Sequence, residues 1–225
     1  MKETKKIRVK VKKRKLKSKN ICLFILFLVL ISLGIYYILK INISNIYVIG
    51  NNLVSDKEII NNANLTDYPS YVLSFKNKVK RNILSNSYIK DVTIKKDNFK
   101  FYIYITEYKP LAIYNNKILL ENDTLVDNIY NINSIPTIIN NIDTLSFSSS
   151  FSKVNDDVLS KISQIEFTPN EVDKKRYLLY MNDGNSVYIT LSKINKLNSY
   201  NSIVSRMEGR NGIIYLDSGN YIELK

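Results

Sequence analysis

Histidine and tryptophan are absent from the 225 residues, and cysteine occurs once. Without His, nucleophilic catalysis of the Ser-His or Cys-His kind has no base. A zinc site is left without its usual ligands, because carboxylates alone rarely form one. Cys22 has no second thiol to pair with, so the chain folds without an internal disulfide. The six Gly are dispersed, and no Gly-rich loop of the kind that cradles phosphates is present. Asn, Ile, Lys and Tyr are abundant but scattered, which reads as compositional bias rather than chemistry.

Acidic charge is scarce in one place only. Residues 1–20 hold eleven of the 33 Lys and Arg but only Glu3 of the 20 acidic residues, which leaves 22 basic and 19 acidic side chains elsewhere. The formal charge of +13 therefore belongs to the tail, and the nearly neutral body does not read as a nucleic-acid binder. Charge is then missing altogether from Ile21 to Leu39, ICLFILFLVLISLGIYYIL. As a helix rising 1.5 Å per residue this run approaches the ~30 Å hydrocarbon thickness of a bilayer. Its Ile, Leu, Val and Phe favour insertion by a sum of roughly 6 kcal/mol, before Ser32 and Gly34 reduce it.

The basic tail before the span and the lone Lys40 just after it form the positive-inside pattern, which places the N-terminus in the cytoplasm and the C-terminal part outside. The tail, MKETKKIRVKVKKRKLKSK, could also meet RNA or DNA, but anionic lipid next to the span already rewards each basic residue, so membrane lipid is its expected partner. A cleaved signal peptide has a shorter apolar core and small residues at its cleavage site; Tyr36, Tyr37, Ile38, Leu39 and Lys40 occupy that position here, which favours an uncleaved anchor.

Beyond the span the pattern becomes mixed. Ile41, Ile43, Ile46 and Val48 before Gly50-Asn51-Asn52 predict a strand with an irregularity at Ser44 and Asn45. Ser55 with Glu58 is a capping box opening a helix over about 56–62, with Ile59 and Ile60 inward. Phe75, Val79, Ile83 and Leu84 predict a second helix over about 73–85. IKDVTIKK and FKFYIYIT then read as two strands, with Phe99, Phe101, Ile103 and Ile105 on one face and a turn at Asp97-Asn98. The order is strand, helix, helix, strand, strand.

Further on, AIYNNKILLENDTLV predicts two short strands, followed by Ile135-Pro136-Thr137-Ile138 and by Thr144 to Phe147 ahead of a Ser-rich loop. Val158, Leu159, Ile162 and Ile165 predict a helix over 154–165, with Asp156 and Asp157 in its first turn, where the helix dipole favours them. Residues 176–181 and 186–191 around Asn182-Asp183-Gly184-Asn185 predict a hairpin. A helix over 193–207 carries Leu197, Tyr200, Ile203, Val204 and Met207, and the sequence closes on GIIYLDSGNYIE before Leu224 and Lys225.

Paired carboxylates are the one catalytic arrangement left to consider, since glycan-cleaving enzymes use them as acid and base. Glu121 with Asp123, and Asp156 with Asp157, are the candidates. A polar turn and a helix start account for them more simply, so neither a catalytic residue nor a cofactor, metal or small-molecule substrate is expected.

The single span followed by this element order, with IYVIGNN in the first strand, SYIKDVTIKK after the second helix and Glu107-Tyr108-Lys109-Pro110-Leu111-Ala112 closing the third strand, resembles the POTRA module of the DivIB/FtsQ family of bacterial division proteins. The NDG hairpin and the helix leading into IIYLDSGNYIE are similar to the β-domain that follows POTRA in that family. The resemblance implies an α+β chain: a cytoplasmic tail over 1–20, a transmembrane helix over 21–39, a POTRA domain (β-α-α-β-β) over 43–110 and a mixed β-domain with a few helices over 111–225. Many relatives continue into a flexible C-terminal tail, whereas this sequence stops at Lys225.

The resemblance also implies a non-enzymatic scaffold of the cell-division complex, enriched at the septum and helping to regulate wall synthesis there. Its implied partners are single-span coiled-coil proteins of the FtsL and DivIC/FtsB type. They dock at the end of the β-domain, which carries the role onto Tyr215, Leu216, Tyr221, Ile222 and Leu224, with alternation leaving open which of these face outward. A POTRA-type receptor or translocation component, and a membrane-anchored wall-glycan enzyme, stand as the alternatives.

Overall fold

The computed structural model describes residues 18–224, so the basic tail up to residue 17 lies outside the described residues. Helix α1 spans Ser18–Leu39. Its apolar residues are exposed on every side, with none buried against the rest of the chain among the described residues. A helix apolar on every side and packed against no protein needs lipid around it, and among the described residues it is the one helix long and apolar enough to cross a membrane.

The first exterior unit is a three-stranded sheet in the order β1-β3-β2, formed by β1 (Asn45–Ile49), β2 (Ile89–Asp97) and β3 (Lys100–Glu107). β1 runs parallel to β3 and β2 antiparallel to it. Helices α2 (Asp56–Asn62) and α3 (Lys76–Ile83) cover one face. Ile59, Val79, Ile83, Phe101, Ile103 and Ile105 fill the space between. The Ser55 hydroxyl accepts from the Glu58 amide at 3.3 Å, as the capping box requires. The Glu58 carboxylate accepts elsewhere, from Tyr130 OH at 2.7 Å and Asn86 Nδ2 at 2.9 Å.

Two local expectations are corrected. The second helix begins at Lys76, three residues later than its apolar spacing predicts, because Ser70 and Tyr71 are drawn into pairing with Asn42 and Ile41, and Phe75 keeps an extended backbone as the N-cap. Phe75 is consequently 62% exposed rather than inward. Phe99 is also outward: the two left-handed residues of the β2–β3 turn are Asn98 (φ 45°) and Phe99 (φ 59°), so the turn lies one residue beyond Asp97-Asn98.

The second unit is a nine-stranded mixed sheet. In chain order its strands are β4 (Pro110–Tyr114), β5 (Lys117–Leu120), β6 (Leu125–Asp127), β7 (Thr137–Ile138), β8 (Ile162–Phe167), β9 (Arg176–Met181), β10 (Ser186–Thr190), β11 (Gly212–Tyr215) and β12 (Tyr221–Leu224). Across the sheet they run β12-β11-β10-β9-β8-β7-β4-β5-β6. The chain is thus α+β, as expected. The Ser-rich segment is helical: α4 (Thr144–Phe151) is capped by Asp143, and Phe147 and Phe151, four apart, stack at 4.0 Å.

The helix expected over 154–165 is one turn, α5 (Asp156–Leu159), followed by β8. A bulge between Ile162 and Gln164 lets Ile162 and Ile165 both face inward at a spacing of three, which imitates a helical period. Residues 191–207 form a 3₁₀ segment (Leu191–Ser199), helix α6 (Tyr200–Val204) and a closing 3₁₀ turn, with Leu197, Tyr200 and Met207 buried as expected.

The two units share a boundary rather than a linker. β5 alternates, turning Leu119 to the second core and Ile118 and Leu120 to the first, where Ile132 joins them. Tyr88 stacks edge-on against Tyr130 at 4.8 Å and donates to the Asp127 carbonyl. Burial, then Asp127, raises the Tyr88 hydroxyl above its ordinary value, so it stays a donor.

Candidate functional site

The five residues singled out at the chain end lie on or beside the outer edge of the nine-stranded sheet. β11 runs parallel to β10 and antiparallel to β12, and among the described residues β12 has a strand neighbour on one side only. Gly212 makes the last pairing possible: a Cβ there would lie 2.4 Å from the Glu223 carbonyl oxygen.

Register decides which residues are available. Ile214 pairs with Ile222 and Tyr215 with Tyr221. Tyr188, Tyr215 and Tyr221 stack in a row across three strands at 5.3 and 4.4 Å, forming one face of the edge. Ile222 and Leu224 lie on the opposite face. There Ile203, Ile214 and Ile222, with Lys196 and Arg206 at the rim, line a groove of about 350 Å³ between the sheet and the 191–207 segment.

Tyr221, Ile222 and Leu224 are exposed and Tyr215 is half-buried. Leu216 does not belong with them. It is 3% exposed and packed in the core at the floor of the groove, because alternation puts it on the same inward face as Ile214 two residues earlier. Lys196, Ile203 and Arg206 were missed in the sequence, since the fold alone brings a helical segment beside a strand about 20 residues away.

Two polar clasps hold this edge in place. Asn185, 3% exposed, accepts from the Gly212 amide at 2.9 Å and donates to Tyr200 OH at 3.2 Å. Tyr200 in turn donates to the Asp183 carboxylate, so the NDGN turn anchors both β11 and α6. Burial and then the Asp183 hydrogen bond raise the Tyr200 hydroxyl well above its ordinary value.

The second clasp is Arg176 Nε on Asp217 Oδ2 at 2.7 Å, with the guanidinium 3.7 Å above the Tyr188 ring. Lys193 donates to the Asp217 carbonyl. Burial pushes the Asp217 carboxyl up, but hydrogen bonds from Arg176 and Ser218 outweigh it and hold the group below the usual carboxylate range. Its stabilisation is therefore complete above the unfolded value of about 4 and is lost as pH falls through the lower folded value. Asp217→Ala, which strands a half-buried guanidinium, is expected to cost about 3 kcal/mol at neutral pH. The cost should shrink in acid, as read by urea unfolding at both pH values.

The candidate carboxylate pairs have other engagements. Glu121 is bound by Lys90 at 2.9 Å, Asp156 by Lys109, and Asp157 accepts from Asn201 Nδ2 at 2.8 Å. Asp123 sits at φ 66° in the β5–β6 turn, with a buried Oδ1 that lacks a hydrogen-bond partner. Among the described residues no three His, Cys, Asp or Glu side chains come together as a metal would require.

A single apolar span, a helix-backed β-α-α-β-β unit and a mixed sheet with an open terminal edge define a single-pass membrane protein with an extracytoplasmic domain that begins with a POTRA module. The family model for the FtsQ-type POTRA domain matches residues 41–108. The chain is similar to the cell division protein DivIB of Listeria monocytogenes, 27% identical over 238 aligned positions that cover 95% of this chain and 84% of the relative. To DivIB of Bacillus subtilis it is 29% identical over 225 positions, covering 94% of this chain and 86% of the relative. A solved structure of the major extracytoplasmic domain of the trans isomer of DivIB from Geobacillus stearothermophilus matches at 22% identity and a TM-score of 0.38, covering 46% of this chain and 96% of that one. Over most of its length the chain is therefore similar to the DivIB cell division proteins, with an FtsQ-type POTRA domain next to the span.

Proposed function

We propose that this protein is a non-enzymatic scaffold of the bacterial cell-division complex, anchored by α1 and capturing partner subunits outside the membrane through the free side of β12. The relatives bearing the name cell division protein support the division role. The observation that carries the mechanism is the edge itself: among the described residues β12 is paired on one side only, and Tyr221, Ile222 and Leu224 are exposed around it. A strand added there satisfies unpaired backbone groups, and the apolar groove with its Lys196 and Arg206 rim suits an adjoining segment that carries apolar and acidic side chains.

The partners are the single-span coiled-coil division proteins of the FtsL and DivIC/FtsB type that the family resemblance implies, and holding them at the septum is how the protein helps regulate wall synthesis. A fluorescent fusion to the cytoplasmic end is expected to concentrate at midcell as constriction begins. Uniform envelope fluorescence through division would sink the proposal.

A further inference from the structure

The exterior part is bonded down almost where the span ends. α1 finishes at Leu39, the Ile41 carbonyl accepts from the Tyr71 amide at 2.8 Å, Asn42 bridges Ser70, and the Ile43 amide donates to the Pro69 carbonyl at 3.0 Å. Two residues reach at most about 7 Å. The polar layer on each side of the hydrocarbon is itself roughly 5–7 Å thick. The segment Tyr68–Phe75 is therefore held at the level of the lipid headgroups. Tyr36 and Tyr37 end the span as interfacial anchors, with Lys40 lying 4.6 Å from the Tyr36 ring centre.

That segment carries the large apolar residues which the core does not use. Tyr68, Val72, Leu73 and Phe75 are all exposed. The tip of the β2–β3 hairpin joins them: the Phe99 carbonyl accepts from Ser44 at 2.8 Å, and its exposed ring meets Tyr71 edge-on at 5.4 Å. Cations surround the patch. Lys96 donates to the Tyr71 carbonyl, Lys40 and Lys76 are exposed, and Lys100 follows Phe99; Asp67 and Asp97 are the acidic residues on the same segments. Exposed aromatic and aliphatic side chains next to lysines, at headgroup depth, have the composition of an interfacial membrane contact.

We propose that this end of the POTRA module is a second membrane contact, with Tyr68, Val72, Leu73, Phe75 and Phe99 seated at the headgroup–acyl boundary of the outer leaflet and Lys40 and Lys76 engaging anionic lipid phosphates. The contact stands on the single-span topology and is independent of the partner reading. It fixes the tilt of the exterior part: β1 and β3 lead away from the bilayer, and the second unit is carried outward on a surface-seated base instead of on a free tether.

The test uses the full chain carrying Cys22→Ser and one new cysteine, at Leu73, Phe99 or Ser87. The last lies beyond the far end of β2, a nine-residue strand of about 30 Å. Each variant is labelled with a polarity-sensitive fluorophore and reconstituted into phosphatidylglycerol-containing vesicles whose acyl chains are brominated near the headgroup. Probes at 73 and 99 are expected to be quenched by the lipid and shielded from aqueous iodide, and the probe at 87 the reverse. Lys40→Gln with Lys76→Gln should relieve the lipid quenching severalfold. Probes at 73 and 99 that iodide reaches and lipid does not would overturn the contact. Shielding from iodide without lipid quenching, fading as the protein is diluted in lipid, would assign the face to a second copy and overturn it equally.

Discussion

Deleting residues 221–225 is expected to weaken capture of the coiled-coil division partners by about a hundredfold or more, the effect of losing the central anchors of an interface. The fold should survive. Every described residue of β12 is exposed, whereas Ile214 and Leu216 on the preceding segment are in the core and remain after the deletion. The cost to stability is expected below about 2 kcal/mol, within the range of substitutions that leave the core intact. Partner titration and thermal melting on the same preparations separate the two readouts. Gly212→Val reaches the same end without shortening the chain, because its side chain would occupy the space 2.4 Å from the Glu223 carbonyl and force β12 off β11. Undiminished capture in both variants means the partner docks elsewhere, and a receptor or translocation role then becomes the better reading.

Leu120→Ala is expected to destabilise the exterior part by about 2–5 kcal/mol, since the residue is 0% exposed and the cavity opens between two units packed on the same strand. The melt should stay a single transition at lower temperature, because Ile118, Leu120 and Ile132 complete the first core while Leu119 belongs to the second. A fragment ending at Pro110 lacks all three and exposes Tyr88, so it should be poorly folded. Extending it through Ile138 restores Tyr130 and the Glu58 bond and is expected to recover cooperative unfolding, measured by circular dichroism. A fragment 43–110 that melts as sharply as the longer one would show that the units fold apart.

Much of this was legible in the sequence because it rests on local chemistry. The span is a matter of length and missing charge. Ser55 and Glu58 state the start of α2, the alternation Phe101-Ile103-Ile105 states the inner face of β3, and Asp183-Gly184 states a hairpin. Each needs only neighbours within a few residues. The misreadings share one cause. Ile162 and Ile165 copied a helical spacing through a bulge, Phe75 lost its turn to the pairing of Ser70 and Tyr71 with Asn42 and Ile41, 28 and 30 positions earlier, and serines hid the Phe147–Phe151 pair.

By itself the sequence determined a directional anchor and the element order of the first unit, since hydrophobic period, capping and turn residues act along the chain. Only the tertiary structure decided that Leu216 faces the core while Ile222 faces a groove, that Lys196 and Arg206 rim it, and that Leu73, Phe75 and Phe99 meet beside the span. Those outcomes depend on strand register and on contacts between residues far apart in the chain, and no local pattern records which distant backbone a given amide will find.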